Sequence, residues 1–112
     1  MTEPETQLVR GTLHLLILRR LVDGPLHGFA IGEEIARRSG GVLSFEEGAL
    51  YQALHRMEER GWLASEWRHA ESGKRARFYR LTADGRRRLR LETESFSRYA
   101  RAVFQVLEVE GT

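Results

Sequence analysis

Between Ser44 and Leu81 the chain changes its period, and that change narrows the folds open to it. The stretch 44-SFEEGALYQALHRMEERGWL-63 sets Leu50, Leu54 and Met57 along one side of a helix. Its other side carries Gln52, Ala53, His55, Arg56 and Glu59. Beyond Gly61 the helical spacing stops. Residues 62–68 and 76–81 are rich in aromatic and branched side chains, and the polar run Glu71-Ser72-Gly73-Lys74 joins them, the pattern of a hairpin with a longer loop.

Helices flank this helix–hairpin unit. A first helix is expected from about Leu8 to Val22; its centre, LHLLILRRLV, is apolar on nearly all sides, which means burial by more than one neighbour. Gly24-Pro25 ends it. A second helix, from about His27 to Arg38, offers Phe29, Ile31, Ile35 and Ala36 as apolar candidates and stops at Ser39-Gly40-Gly41. After the hairpin, Thr82 reads as an N-cap with Asp84 in the first turn, where a negative charge suits the helix dipole. The last helix runs to about Glu108. Leu89, Phe96 and Val103 recur every seven residues along it, with Tyr99, Ala100, Val106 and Leu107 beside them. Both tryptophans, Trp62 and Trp67, are expected to pack in the hairpin region. Three helices, a hairpin and a long final helix give a mainly α fold with a small β-hairpin: a winged helix-turn-helix whose third helix enters the major groove and whose wing lies along the backbone or minor groove. The expected organisation is a flexible segment at 1–7, the winged domain at 8–81 and a dimerisation helix at 82–112.

Charge points the same way. The chain of 112 residues carries a net charge of only +2. From Arg68 to Arg90, however, nine cations stand against Glu71 and Asp84, so this stretch is +7 and the remainder −5. A local basic segment suggests a surface that faces a polyanion, against the alternative of an ordinary solvated face. Arginine, which makes up all the cations but Lys74, suits bidentate phosphate binding. Absent cysteine excludes disulfides, thiolate metal sites and thiol nucleophiles. His14, His27, His55 and His69 are scattered without ligand spacing, and no phosphate loop or nucleophile elbow appears, so neither an enzyme nor a metal or cofactor is expected. No secretory pattern and no apolar run of about 18 residues occurs, so a cytoplasmic protein without a membrane partner is the expectation.

The segments 10-RGTLHLLILRRL-21, 24-GPLHGFAI-31, 48-GALYQALHRMEERGWL-63 and 73-GKRARFYRLTADGRRRL-89 together resemble the PadR family of bacterial transcriptional regulators, in its short class with a single C-terminal helix. The resemblance implies a homodimeric winged-helix DNA-binding protein, usually a repressor of a nearby gene. The chain departs from the family at 49-ALYQ-52, where Ser-Leu-Tyr-Pro is frequent. Ala49 lacks a hydroxyl that could bond phosphate, and Gln52 supplies a side chain able to bond an adenine edge. Phe29 stands where tyrosine is common.

These readings assign double-stranded DNA contacts to Tyr51, Gln52, His55 and Arg56 on the third helix and to Gly73, Lys74, Arg75 and Arg77 on the wing. Tyr51 either reaches phosphate or simply packs with a wet tip. Arg56 either binds phosphate or pairs with Glu59. Arg86-Arg87-Arg88 divides between phosphate contact and solvated face, with Arg88–Glu92 and Arg90–Glu94 as candidate pairs. The acids that open the third helix are read as structural, since Ser44 and Glu47 have capping-box spacing and Glu46 favours the helix dipole, against the alternative that Glu46 accepts from a cytosine amino group or repels wrong sequences. Leu89, Phe96, Tyr99, Ala100, Val103 and Leu107 are assigned to a two-fold dimer interface, which places two reading helices on a pseudo-palindromic operator, against the alternative that the stripe folds back on its own domain. A small-molecule effector, if the protein has one, would sit at that interface against Phe96, Tyr99 and Phe104. The rival from another class is a winged-helix protein-docking module whose arginines meet an acidic partner.

Overall fold

The computed structural model describes residues 3–110, with side chains described at Leu8 and from Gly11 onward. The element order is α1 (Glu3–Arg20), β1 (Leu26–His27), α2 (Gly28–Arg38), α3 (Glu47–Glu59), β2 (Leu63–His69), β3 (Arg75–Leu81) and α4 (Ala83–Leu107). The sheet has three antiparallel strands in the order β1-β3-β2. No helix among the described residues is long and apolar enough to cross a membrane.

The core explains this order. Ile17, Leu18 and Leu21 of α1 meet Ile31 and Ile35 of α2 and Leu50, Leu54 and Met57 of α3, and Leu63, Tyr79 and Leu81 close the sheet side. Each fully buried aliphatic side chain contributes about 1.5–3 kcal/mol relative to exposure. The nearly all-round apolarity of the first helix is matched by its packing against α2, α3 and α4. Glu34 ties the first two helices at the surface: it accepts from Arg37 at 2.7 Å and Arg38 at 3.4 Å, and Arg20 lies 3.7 Å away. The Arg37 hydrogen bond, with further help from Arg38, lowers the Glu34 carboxyl below its ordinary range.

Four sequence readings change. The first helix begins at Glu3 rather than Leu8, so the segment read as flexible is helical from Glu3; residues 1 and 2 lie outside the described residues. The capping box does not form: α3 starts at Glu47 with Glu46 as its N-cap, without a side-chain cap bond, which leaves Ser44 ahead of the helix. Phe45, packed against the core, fixes the chain's approach there. Glu46 and Glu47 do sit at the positive helix end, as their charge favours. Phe29 is not a core residue but 65% exposed, because it lies about 200° around α2 from the buried Ile31. Ala53, read as outward, is buried at the edge of the apolar stripe, about 40° around the helix from Met57.

The Thr82 cap forms as read and does more. Its Oγ1 accepts from the Gly85 N–H at 3.0 Å and donates to the Gly61 carbonyl at 2.6 Å. Its own N–H donates to the Trp62 carbonyl at 3.1 Å. The start of α4 is thereby clipped to the turn between α3 and β2. With 25 residues, α4 is roughly 37 Å long.

Candidate nucleic-acid interface

The inner face of the hairpin grades from dry to cationic. Leu63 opposes Leu81 and Ser65 opposes Tyr79 against the helices; farther out, Trp67 opposes Arg77 and His69 opposes Arg75. Strand alternation puts all eight on one face. At the tip, the Gly73 N–H donates to the Ala70 carbonyl at 2.9 Å and the Ala70 N–H to the Lys74 carbonyl at 2.8 Å. Gly73 takes φ 85°, a left-handed conformation that a side chain disfavours, so the turn relies on glycine. Lys74 and Arg75 follow directly. Neither forms an ion pair among the described residues.

Arg77 has another task. Its Nε donates to Ser65 Oγ at 2.8 Å, and its Nη2 reaches Glu58 of α3 at 3.4 Å. Ser65 in turn donates to Glu58 at 2.6 Å. The three side chains brace the wing against α3 and set the angle between them. The sequence assigned Arg77 to the same group as the tip cations, but its charge is already partnered.

Tyr51 faces the wing side of α3. Its ring lies so close to the start of α2 that a Cβ on Gly28 would stand 2.7–2.9 Å from the ring and hydroxyl atoms. Glycine at 28 is therefore what admits the ring. Burial, with the Glu47 charge adding to it, raises the phenol above its ordinary range. Tyr51, Phe29, Lys74, Arg75, Arg77 and Trp67 share an open cleft of about 690 Å3 between the wing, α3 and the start of α2.

The other α3 candidates point away from that cleft. Gln52 and Arg56 line a separate cleft of about 540 Å3 with Arg60, Trp62, Arg88 and Glu92, between α3, α1 and α4. His55 lies between the two flanks, exposed, with Nε2 3.6 Å from a Glu59 oxygen. Glu59 thus lies beside His55, and Arg56 has no ion pair among the described residues. The arginines at the start of α4 are mostly occupied: Arg87 by Asp84, and Arg88 by Glu92 at 3.2 Å while stacking over Trp62 at 4.9 Å. His14 Nε2, 2.7 Å from Glu92, links α1 to the same spot. Trp62 is half-buried against the core, as expected, but Trp67 is 54% exposed, because the hairpin outruns the helices that could cover it.

Along α4 the seven-residue stripe divides. Leu89 packs on the core of its own chain. Ala100 and Val103 are half-buried, whereas Phe96, Tyr99 and Leu107 are exposed, Tyr99 and Leu107 by more than 60%.

Residues 17–91 match the family described as the Transcriptional regulator PadR-like family. The chain belongs to the PadR family. It is 35% identical over 94 residues to the Transcriptional regulator Rv3488 of Mycobacterium tuberculosis, covering 84% of each chain. Its fold superposes on the PadR family transcriptional regulator of Eggerthella lenta with a TM-score of 0.78 at 34% identity, over 93% of this chain and 88% of that one. A transcriptional regulator from Clostridium thermocellum superposes with a TM-score of 0.79 at 25% identity, over 88% and 96%. PadR regulators are DNA-binding proteins rather than enzymes, and this chain has their winged-helix fold. Gln52 and Arg56, both exposed, lie on the flank of α3 that faces α1 and α4, whereas Tyr51 lies on the flank that faces the wing.

Proposed function

We propose that this PadR protein is a cytoplasmic, homodimeric repressor that binds a pseudo-palindromic operator near the operon it controls. One observation carries this reading. The cleft between the wing, Tyr51 and the start of α2 carries Lys74 and Arg75, neither in an ion pair among the described residues, at its outer edge and the Tyr51 hydroxyl on its wall. That is a phosphate-facing arrangement on a fold whose third helix reads the major groove. Lys74 and Arg75 hold the backbone, and Tyr51 donates to a phosphate oxygen. His55 and Gln52 stand nearest the exposed crest of α3 and reach base edges; Arg56 contacts a flanking phosphate. The exposed apolar side chains of α4 pair with those of a second copy, which sets two α3 helices on successive major-groove faces. The groove of about 270 Å3 containing Phe96, Tyr99, His14 and Glu92 is where a small effector would lodge against that interface.

The test is fluorescence anisotropy on DNA from the protein's own upstream region against scrambled DNA, across a salt series. Native DNA is expected to bind about a hundredfold or more tighter at fixed salt. Lys74→Ala and Arg75→Ala should each reduce the slope of log affinity against log salt by about 0.9, the loss of one phosphate contact. Binding that ignores sequence and salt alike, alongside a tight complex with an acidic protein, would instead establish a docking module.

Gly28→Ala makes a sharper probe. The three atoms nearest the new methyl all belong to the outer ring and hydroxyl of Tyr51, the far end of a side chain that can turn away. Operator affinity should fall about as far as in Tyr51→Phe, with thermal stability within a few degrees of the parent. A stable Gly28→Ala protein with full affinity would remove Tyr51 from the interface.

A further inference from the structure

We infer that Trp67 is a non-ionic DNA contact, its indole packing on the deoxyribose of the strand whose phosphates meet the wing tip. The inference rests on the DNA-binding reading above and adds a residue that neither charge nor periodicity marks. Four observations carry it.

The ring is on the inner face of the wing, since Trp67 continues the alternation of Leu63 and Ser65. It is 54% exposed there, and a tryptophan can bury 150 to about 250 Å2 of surface, so leaving it open forgoes a large apolar contact. Cations border it: the Arg75 guanidinium is 5.2 Å and the Arg77 guanidinium 5.8 Å from the ring centre. Finally, it lines the same cleft as Tyr51, Phe29 and Lys74.

An occupant that suits all four must be anionic at the rim and apolar between the anions. A nucleic-acid backbone has that alternation, with a sugar between successive phosphates. An acidic peptide could satisfy the cations, but apolar surface between its charges depends on its sequence, whereas in the nucleic-acid backbone a sugar always lies between phosphates. Charge complementarity and continuity with the proposed phosphate contacts therefore both favour the DNA strand. The Glu58–Ser65–Arg77 brace holds the neighbouring strand positions still, so the ring is preorganised before DNA arrives.

The experiment compares the parent, Trp67→Phe and Trp67→Ala on duplex DNA from the upstream region and on scrambled duplex. It reads anisotropy across salt, and tryptophan emission in the parent and Trp67→Phe. The parent's emission should shift or quench on binding either duplex. Most of the change should be lost in Trp67→Phe, where only Trp62 remains, half-buried between the core and the cleft that Gln52 and Arg56 line. Trp67→Ala should bind about fivefold to twentyfold more weakly with an unchanged salt slope, and Trp67→Phe should recover most of the loss. If Trp67 only props Arg75 and Arg77, the salt slope falls in Trp67→Ala and the parent's emission stays flat; that outcome overturns the inference but leaves the DNA reading standing. Unaltered affinity in Trp67→Ala with flat emission also overturns it. If neither duplex binds the parent at low salt, the DNA reading itself fails.

Discussion

Leu54→Ala is expected to lower the free energy of unfolding by about 3–5 kcal/mol, the upper part of the range for a large-to-small change in a packed core. Leu54 is fully buried, at the point where α3 meets the core formed by α1 and α2. A cavity there cannot collapse easily, because the surrounding side chains belong to three elements already fixed by one another. A domain of this size is stable by about 5–15 kcal/mol, so the substitution removes a large part of the total. The melting temperature should fall by roughly 15 °C or more. Val42→Ala, at a 53% exposed position in the link before α3, should stay within about 0.5 kcal/mol of the parent. The two proteins must be compared at equal concentration, since self-association would stabilise the folded form. A loss below about 1 kcal/mol for Leu54→Ala would mean that α3 is not seated in the core as described.

Leu54 was legible in the sequence because its burial follows from local spacing. The same holds for Leu50 and Met57, for the hairpin and for the Thr82 cap: each depends on residues within a few positions of one another. What was not legible depends on distance along the chain. The two-residue strand Leu26–His27 exists only because β3 offers it Tyr79 and Phe78 as partners. Nothing in its own sequence separates it from the start of a helix. Ala53 is too small to declare a side, and only the stripe of neighbours around it decides. In the candidate interface, Lys74 and Arg75 were legible as cations next to a glycine turn. Arg77 looked the same, yet Glu58, nineteen residues away, holds it. Trp67 read as hairpin core because aromatic residues in strands usually are; its exposure reflects how far the strands outrun α2 and α3, a length no residue encodes by itself. Phe29 misled for a simpler reason: it is apolar, but its helical phase places it opposite Ile31.

Phe96→Glu combined with Val103→Glu is expected to give a folded monomer whose affinity for a two-site operator is lower by about a hundredfold or more. Phe96 is 44% exposed and Val103 half-buried, and they are flanked by Tyr99 and Leu107, so this face of α4 has apolar surface that its own chain leaves open. In a two-fold dimer each substitution enters the interface twice. Four carboxylates would then face apolar surface without partners, a cost of several kcal/mol that the interface cannot absorb. Within one chain the same side chains can turn to water, so the fold of the winged domain should persist, with its melting curve still cooperative. Two linked reading heads gain about 10²–10⁴ in affinity over one, because the second binds at high effective concentration. Losing the link forfeits that gain and leaves the affinity of each head unchanged. Sedimentation should therefore show half the parent mass, and anisotropy should show a large loss on a two-site duplex but almost none on a half-site duplex. An unchanged mass would place the dimer contact elsewhere than α4. A halved mass with undiminished operator affinity would mean that a single winged domain reads the whole site, and the operator would then have no reason to be palindromic.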